Sequence, residues 1–186
     1  MFMMGNHGKF FLIGIPNCGK TTLGRRAAGT LQLPFYDTDV MACERLGTGN
    51  PVDQILAHFN GSFIRAQWKA VEELVELDSD AIIATGAEVA LQPVCATRLR
   101  HTGTVIHIRR NPEAILAEIA KDGNQLILRE ETSEKEVVMQ EEAVKLYSEE
   151  LSQYESLADL TMENDGSEDD GFDKLIALIK PMLHLP

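Results

Sequence analysis

The chain has 186 residues, 44% hydrophobic and 25% charged, with 29 Asp and Glu against 17 Lys and Arg and a formal net charge of −12. That length and composition suit one globular domain with its own core. They exclude nucleic acid as a partner, because phosphate backbones demand clustered Lys and Arg, and no apolar run approaches the ~18 residues of a membrane span. The start, Met1 to Gly8, lacks the basic-then-apolar order of a signal peptide. Cys18, Cys43 and Cys95 are too few and too scattered for a disulfide framework or a zinc site. The expectation is a cytoplasmic, monomeric protein without membrane contact. Most of the acidity falls late, in 130–155 and 163–173, and reads as a solvated helix face followed by an acidic loop.

Short apolar runs alternate with helical patterns, which predicts a parallel sheet flanked by helices. The first strand is Phe10–Gly14. A helix follows over Thr21–Leu31, then a strand over Pro34–Tyr36. Helices are expected at Thr38–Leu46, Pro51–Ala57 and Phe63–Leu77. In the last of these, Phe63, Trp68, Val71, Leu74 and Val75 recur at core-facing spacing. A strand at Ala81–Ala84 leads to a helix at Glu88–Arg100, and a strand at Thr104–Ile108 to a helix at Pro112–Ala120, with Pro112 in the first turn. Asp122-Gly123-Asn124 is a turn signal. The aperiodic segment from Lys121 to Thr132 then reads as a lid between two helices. A helix over Ser133–Glu155, a strand over Leu160–Met162 and a helix over Asp169–Leu183 complete a single domain spanning 1–186.

Between the first strand and the first helix stands Gly14-Ile-Pro-Asn-Cys-Gly-Lys-Thr21, the G-x-x-x-x-G-K-[ST] pattern of a phosphate-binding loop in its strand–loop–helix setting. Backbone N–H groups of such a loop converge on phosphate oxygens, and the helix N-terminus adds partial positive charge. Gly14 and Gly19 permit the close approach, and Asn17 tolerates left-handed geometry. Pro16, Cys18 and Thr22 complete the cradle. Lys20 reaches the β and γ phosphates, and Thr21 offers its hydroxyl to Mg²⁺. Cys18 at a helix start could carry a lowered thiol pKa, but it reads first as a small loop filler.

Ligands bind at the carboxyl ends of parallel strands. Asp37-Thr38-Asp39 closes the second strand there. One carboxylate suits Mg²⁺ and another can orient a substrate hydroxyl and assist its deprotonation. Asp37 or Thr38 could equally be the cap of the following helix. Thr85-Gly86 ends the third strand at the same cleft. Glu163-Asn164-Asp165-Gly166 follows the last strand, which brings Asn164 beside the nucleotide base.

These residues together resemble the shikimate kinases, within the P-loop nucleoside-monophosphate-kinase-like group. The resemblance covers nearly the whole chain and rests on Gly14–Thr22, Phe35-Tyr-Asp-Thr-Asp39, Arg65, Ile83-Ala-Thr-Gly86, and Tyr154 through Ala158-Asp159. It implies an α/β fold with a five-stranded parallel sheet of order 2-3-1-4-5, a lid, and acceptor-binding helices over about 38–77. It implies that Asp39 contacts the attacking hydroxyl, that Arg65 pairs with the substrate carboxylate beside Gly86, and that Thr21 and Asp37 hold Mg²⁺. Arg129 stands in for the lid arginine, with Lys121 second.

The chain departs from the family pattern on the acceptor side. Gly86-Ala87-Glu88 replaces three glycines, Glu150 replaces an arginine four residues before the tyrosine, and Trp68 replaces a glutamate. The expectation is an enzyme using ATP and Mg²⁺ to phosphorylate a small hydroxyl acceptor, shikimate first. A kinase for another polyol or sugar-like acceptor, or a non-catalytic nucleotide-binding protein, is the alternative.

Overall fold

In the computed structural model of the protein, residues 8–47, 61–127, 141–142, 144–146 and 148–183 are described. In chain order they form β1 (Lys9–Ile13), α1 (Lys20–Leu31), β2 (Phe35–Asp37), α2 (Thr38–Leu46), α3 (Gly61–Val75), β3 (Ala81–Ala84), α4 (Ala87–Leu91), α5 (Pro93–Thr102), β4 (Thr104–Arg109), α6 (Pro112–Ile127), α7 (Leu151–Leu157), β5 (Leu160–Glu163) and α8 (Glu168–Ile179). The strands form one five-stranded sheet of order β2-β3-β1-β4-β5. Every pairing is parallel, with Phe11 opposite Ile83 on one side and Val105 on the other.

The order follows from the apolar runs. β1 is buried along its whole length. A strand covered on both faces reads as a continuous hydrophobic run, as central parallel strands do. Lys9, its one charged residue, donates from Nζ to the Val75 carbonyl at 3.0 Å. α1 lies on the sheet through Leu23, Gly24, Ala27 and Ala28. Small residues there bring helix and strands close, and burial of the surrounding aliphatics supplies ~25 cal/mol per Å² removed from water. The main core joins Phe10, Phe11, Leu12, Ile82, Ile83, Val105, Ile106 and Tyr154. A smaller cluster of Ala42, Cys43, Phe63 and Ala66 seats α3 against α2.

The late acidic residues turn out to have a structural place. Ser167 caps α8 by accepting from the Asp170 N–H, and Glu168, Asp169 and Asp170 fill the first turn. Negative charge at a helix N-terminus is favourable. Arg26 of α1 pairs with both Glu168 and Asp169.

Several helix boundaries differ from the expectation. The helix expected over Glu88–Arg100 is two helices, broken at Gln92, which has extended geometry with φ −73° and ψ 124°. The cause is Pro93, which disfavours helical geometry in the residue before it and opens a new helix at its own fixed φ. α6 continues to Ile127 through Asp122-Gly123-Asn124, so the expected lid begins in helical backbone. An interior Gly costs only about 1 kcal/mol relative to Ala, which ongoing helix propagation can absorb. The helix expected over Ser133–Glu155 is interrupted by a turn at Glu149-Glu150, with α7 starting at Leu151. Trp68, expected in the core, is 37% exposed. The helix expected at Pro51–Ala57, and Arg129, lie outside the described residues.

Candidate active site

The phosphate loop joins the carboxyl end of β1 to the N-terminus of α1. Gly14 has φ +142°, and a Cβ there would sit 2.5 Å from the Ile108 carbonyl and 2.9 Å from Cys18 Sγ. Only glycine fits such a turn. Asn17 is left-handed at φ 60°, as its side chain tolerates. Gly19 is the residue before the first turn of α1, with no side-chain cap of its own. Its N-terminal N–H groups are therefore available to an anion. Pro16 and Gly19 are half-buried, and Asn17 and Thr22 are exposed.

Lys20 folds back over this loop. Its Nζ donates to the carbonyls of Gly14 at 2.8 Å and Ile15 at 2.9 Å, and lies 3.7 Å from Cys18 Sγ. Cys18 is completely buried, and Cys18, Cys43 and Cys95 all remain thiols outside any disulfide. From below, Asn164 donates from Nδ2 to the Cys18 carbonyl at 2.8 Å. The sequence places Asn164 beside the base; in the fold it ties the end of β5 to the loop, satisfying a carbonyl that the turn leaves unpaired.

Asp37 admits two roles from sequence, cap and metal ligand, and its contacts suit both. Asp37 Oδ1 accepts from the backbone N–H groups of Asp39 at 3.0 Å and Val40 at 3.4 Å, capping α2. Asp37 Oδ2 accepts from the Thr21 hydroxyl at 2.7 Å. One carboxylate thus holds a helix end with one oxygen and meets the phosphate loop with the other. Magnesium is bound through one or two such oxygens, with water and phosphate completing its shell. The Thr21–Asp37 pair fits that donor set, and among the described residues no denser metal cluster occurs.

Asp39 lies two residues further on, in the first turn of α2. Its Oδ1 accepts from Gln67 Nε2 at 2.5 Å. Gly86 closes this corner: its N–H donates to the Thr38 hydroxyl at 2.8 Å, and a Cβ on it would overlap Gln67 Nε2 and Asp39 Oδ1. The end of β3 is held by Thr85, whose hydroxyl donates to the Leu12 carbonyl at 3.0 Å. Tyr154 of α7, fully buried, donates from its hydroxyl to the Ala87 carbonyl at 3.0 Å. It also stacks on His107 of β4, ring centroids 5.6 Å apart. His107 is fully buried, neither ring nitrogen has a partner, and burial pushes its pKa down to about 4, with Arg109 and Lys20 acting in the same direction.

This arrangement has counterparts among known proteins. The shikimate kinase family model matches residues 16–180. The chain belongs to the shikimate kinase family. It is 34% identical over 128 residues to a shikimate kinase of Paracidovorax citrulli, covering 68% of this chain and 69% of that protein. It is 28% identical to a shikimate kinase of Clostridium botulinum, covering 92% of this chain and 96% of that one. The shikimate kinase of Acinetobacter baumannii, solved in complex with shikimate, shares the fold with a TM-score of 0.71 at 23% identity, over 96% of both chains.

Arg65 is exposed on α3, and its Nη1 lies over the Gly61 end of the helix. Residues two apart on a helix diverge by about 200°, so α3 directs Gln67, not Arg65, at Asp39. Glu150 precedes α7, half-buried, its carboxylate accepting from Gln153 of the same helix. Lys145 is exposed and paired with Glu141 at 3.8 Å. Gln67 and His107 are not singled out by sequence reasoning. A polar residue inside an apolar helical stripe was the available signal for Gln67. For His107 it was a histidine in the middle of a buried strand.

Two further residues frame the mouth of the nucleotide side. Arg110, after β4, donates to the Asn17 carbonyl at 3.2 Å and pairs with Glu118 at 2.5 Å. Asp165 accepts from the Asn111 N–H at 2.7 Å. The loops after β4 and β5 are thereby joined at the edge of the phosphate loop.

Proposed function

We propose that this protein is an ATP-dependent shikimate kinase, transferring the γ-phosphoryl group to the 3-hydroxyl of shikimate. The observation that carries the reading is the 2.7 Å contact of Thr21 with Asp37. It joins the phosphate loop to the end of β2, two residues from the acceptor carboxylate. Family membership supports a phosphotransferase acting on a hydroxyl-bearing small molecule, and the A. baumannii relative binds the substrate in question.

In this reading Gly14, Pro16, Asn17, Cys18, Gly19, Lys20, Thr21 and Thr22 hold the phosphates. Lys20 exchanges the loop carbonyls for β and γ oxygens. That exchange is favourable because hydrogen bonds to an ionised acceptor are roughly twice as strong as those to a neutral one. Thr21 and Asp37 hold Mg²⁺, which when bound neutralises charge on the phosphates. Asp39 accepts the hydrogen bond of the acceptor hydroxyl and takes its proton as the new oxygen–phosphorus bond forms. Gly86 lets the acceptor approach the backbone after β3.

Arg65 is the cation we assign to the acceptor carboxylate, reached by extension of its exposed side chain. The segment about 121–132 is the lid, with Arg129 as its cation and Lys121 second. Catalysis in this scheme comes from positioning and charge neutralisation, not covalent chemistry.

The test is ADP release coupled to NADH oxidation, with shikimate and a panel of other polyols and hydroxy acids as acceptors. Shikimate-dependent turnover that disappears in Lys20→Ala supports the reading. A different polyol as the one acceptor would assign the enzyme a different substrate. A kinase for another polyol is the second reading, favoured by Glu150 standing where the family carries an arginine. Among the described residues no helix is long and apolar enough to cross a membrane.

A further inference from the structure

Gln67 is 1% exposed, on a helix face otherwise lined by Phe63, Ala66, Ala70, Val71 and Leu74. Its Nε2 lies 2.5 Å from Asp39 Oδ1, a bond that spans 28 residues and joins α3 to α2. A carboxylate only accepts, so the amide nitrogen must face Asp39 and Oε1 must face away. Oε1 is buried without a partner. A buried acceptor left unpaired is destabilising. A Leu or Met of similar volume would fill the same space without that cost, so packing alone does not account for an amide here.

The surroundings leave Asp39 little freedom. Gly86 lies against both members of the pair, close enough that a Cβ would overlap Gln67 Nε2 and Asp39 Oδ1. Its N–H is tied to Thr38 on the other side. A neutral donor also suits the chemistry. Lys or Arg in place of Gln67 would draw the carboxylate into an ion pair with itself, while an ionised Glu would repel it.

We infer that Gln67 is a positioning residue: its amide N–H fixes the Asp39 carboxylate toward the acceptor hydroxyl. This rests on the kinase reading above and extends it to a residue that does not itself touch the acceptor.

The test compares Gln67→Met, which removes the donor and keeps the bulk, with Gln67→Glu. Acceptor kcat and KM are measured across the pH range, alongside crystal structures of both variants that show where the Asp39 carboxylate points. Gln67→Met lowers kcat by about 10- to 100-fold, leaves the KM for ATP unchanged, and lets the Asp39 carboxylate turn from its wild-type orientation. Gln67→Glu gains activity relative to wild type as pH falls, because its carboxyl takes up a proton and donates to Asp39 in the amide's place.

An unchanged kcat in Gln67→Met and a Gln67→Glu ratio to wild type that stays constant with pH, with Asp39 oriented as in wild type, overturn the inference and leave Gln67 a packing residue. If Gln67→Met does not fold, Gln67→Glu carries the same readout alone. If wild-type protein turns over none of the acceptors, the kinase reading fails. The Asp39 orientation in the Gln67→Met crystal structure then decides by itself whether Gln67 fixes that carboxylate.

Discussion

The two sides of the cleft are built differently. On the proposed nucleotide side the frame is backbone: a loop of fixed geometry with Gly14 at φ +142° and Asn17 at φ 60°, held by the Asn164 side chain. On the proposed acceptor side two side chains on separate helices, Asp39 on α2 and Gln67 on α3, meet against the backbone of Gly86 after β3. Backbone geometry requires a short run of particular residues and shows in the sequence. A side-chain constellation can be rebuilt one position at a time and leaves no local motif.

The largest expected effect breaks the nucleotide side alone. Lys20→Ala lowers kcat by at least about 10²- to 10³-fold, since a preorganised charge is lost where negative charge develops. Calorimetry with ATP should show weaker binding. Wild-type affinity no better than that of the variant would remove the phosphate-loop assignment.

The next tests the seam between the two sides, where His107 lies under Gly14 and stacks on Tyr154. Its pKa in the fold is about 4 against 6.5 ordinarily. The unfolded chain therefore takes up the proton first. The full contribution to stability is present above about pH 6.5 and is lost as pH falls toward 4. At ~1.4 kcal/mol for each pH unit separating the two values, the loss amounts to about 3 kcal/mol. Urea unfolding at neutral and acid pH should show it, and His107→Phe, which keeps an aromatic ring for Tyr154, should flatten the acid loss. An equally steep loss in the variant would place the sensitivity elsewhere.

A smaller effect sharpens the comparison from the nucleotide side. Asn164→Ala leaves the Cys18 carbonyl unpaired at a cost of about 1–3 kcal/mol. ATP affinity should fall while the KM for the acceptor stays constant. A change confined to the acceptor KM would show that the two sides are not separable in this way.

The smallest effect belongs to Glu150→Arg. The Glu150 carboxylate is held by Gln153 at the surface of α7, so an arginine there adds an exposed pair worth at most about 1 kcal/mol. The KM for shikimate should drop no more than about fivefold, with kcat constant. An improvement of a hundredfold would show that position 150 faces the substrate carboxylate directly.

The same division explains what was legible in the sequence. The sheet order and the phosphate loop could be read, because strand runs and the loop motif are local. The break at Gln92 has its signal in Pro93, but helical periodicity continues across it and masks the break. The turn before α7 has no Pro or Gly to announce it. It is set by tertiary contacts, with Tyr154 anchored to Ala87 far away in the chain. Gln67 was hidden for the same reason. Periodicity favours Trp68 for the core, and only the packing of α3 on α2 decides that Gln67 faces Asp39 while Trp68 faces out.

The central claim is phosphoryl transfer to shikimate at a site joining the phosphate loop to Asp39. It is tested most directly by shikimate-dependent ADP release from wild type and Asp39→Asn, with ATP binding measured on both. The account predicts turnover in wild type, loss of turnover in Asp39→Asn, and equal ATP affinity in the two. Tight ATP binding by wild type with no ADP release at any shikimate concentration would contradict it.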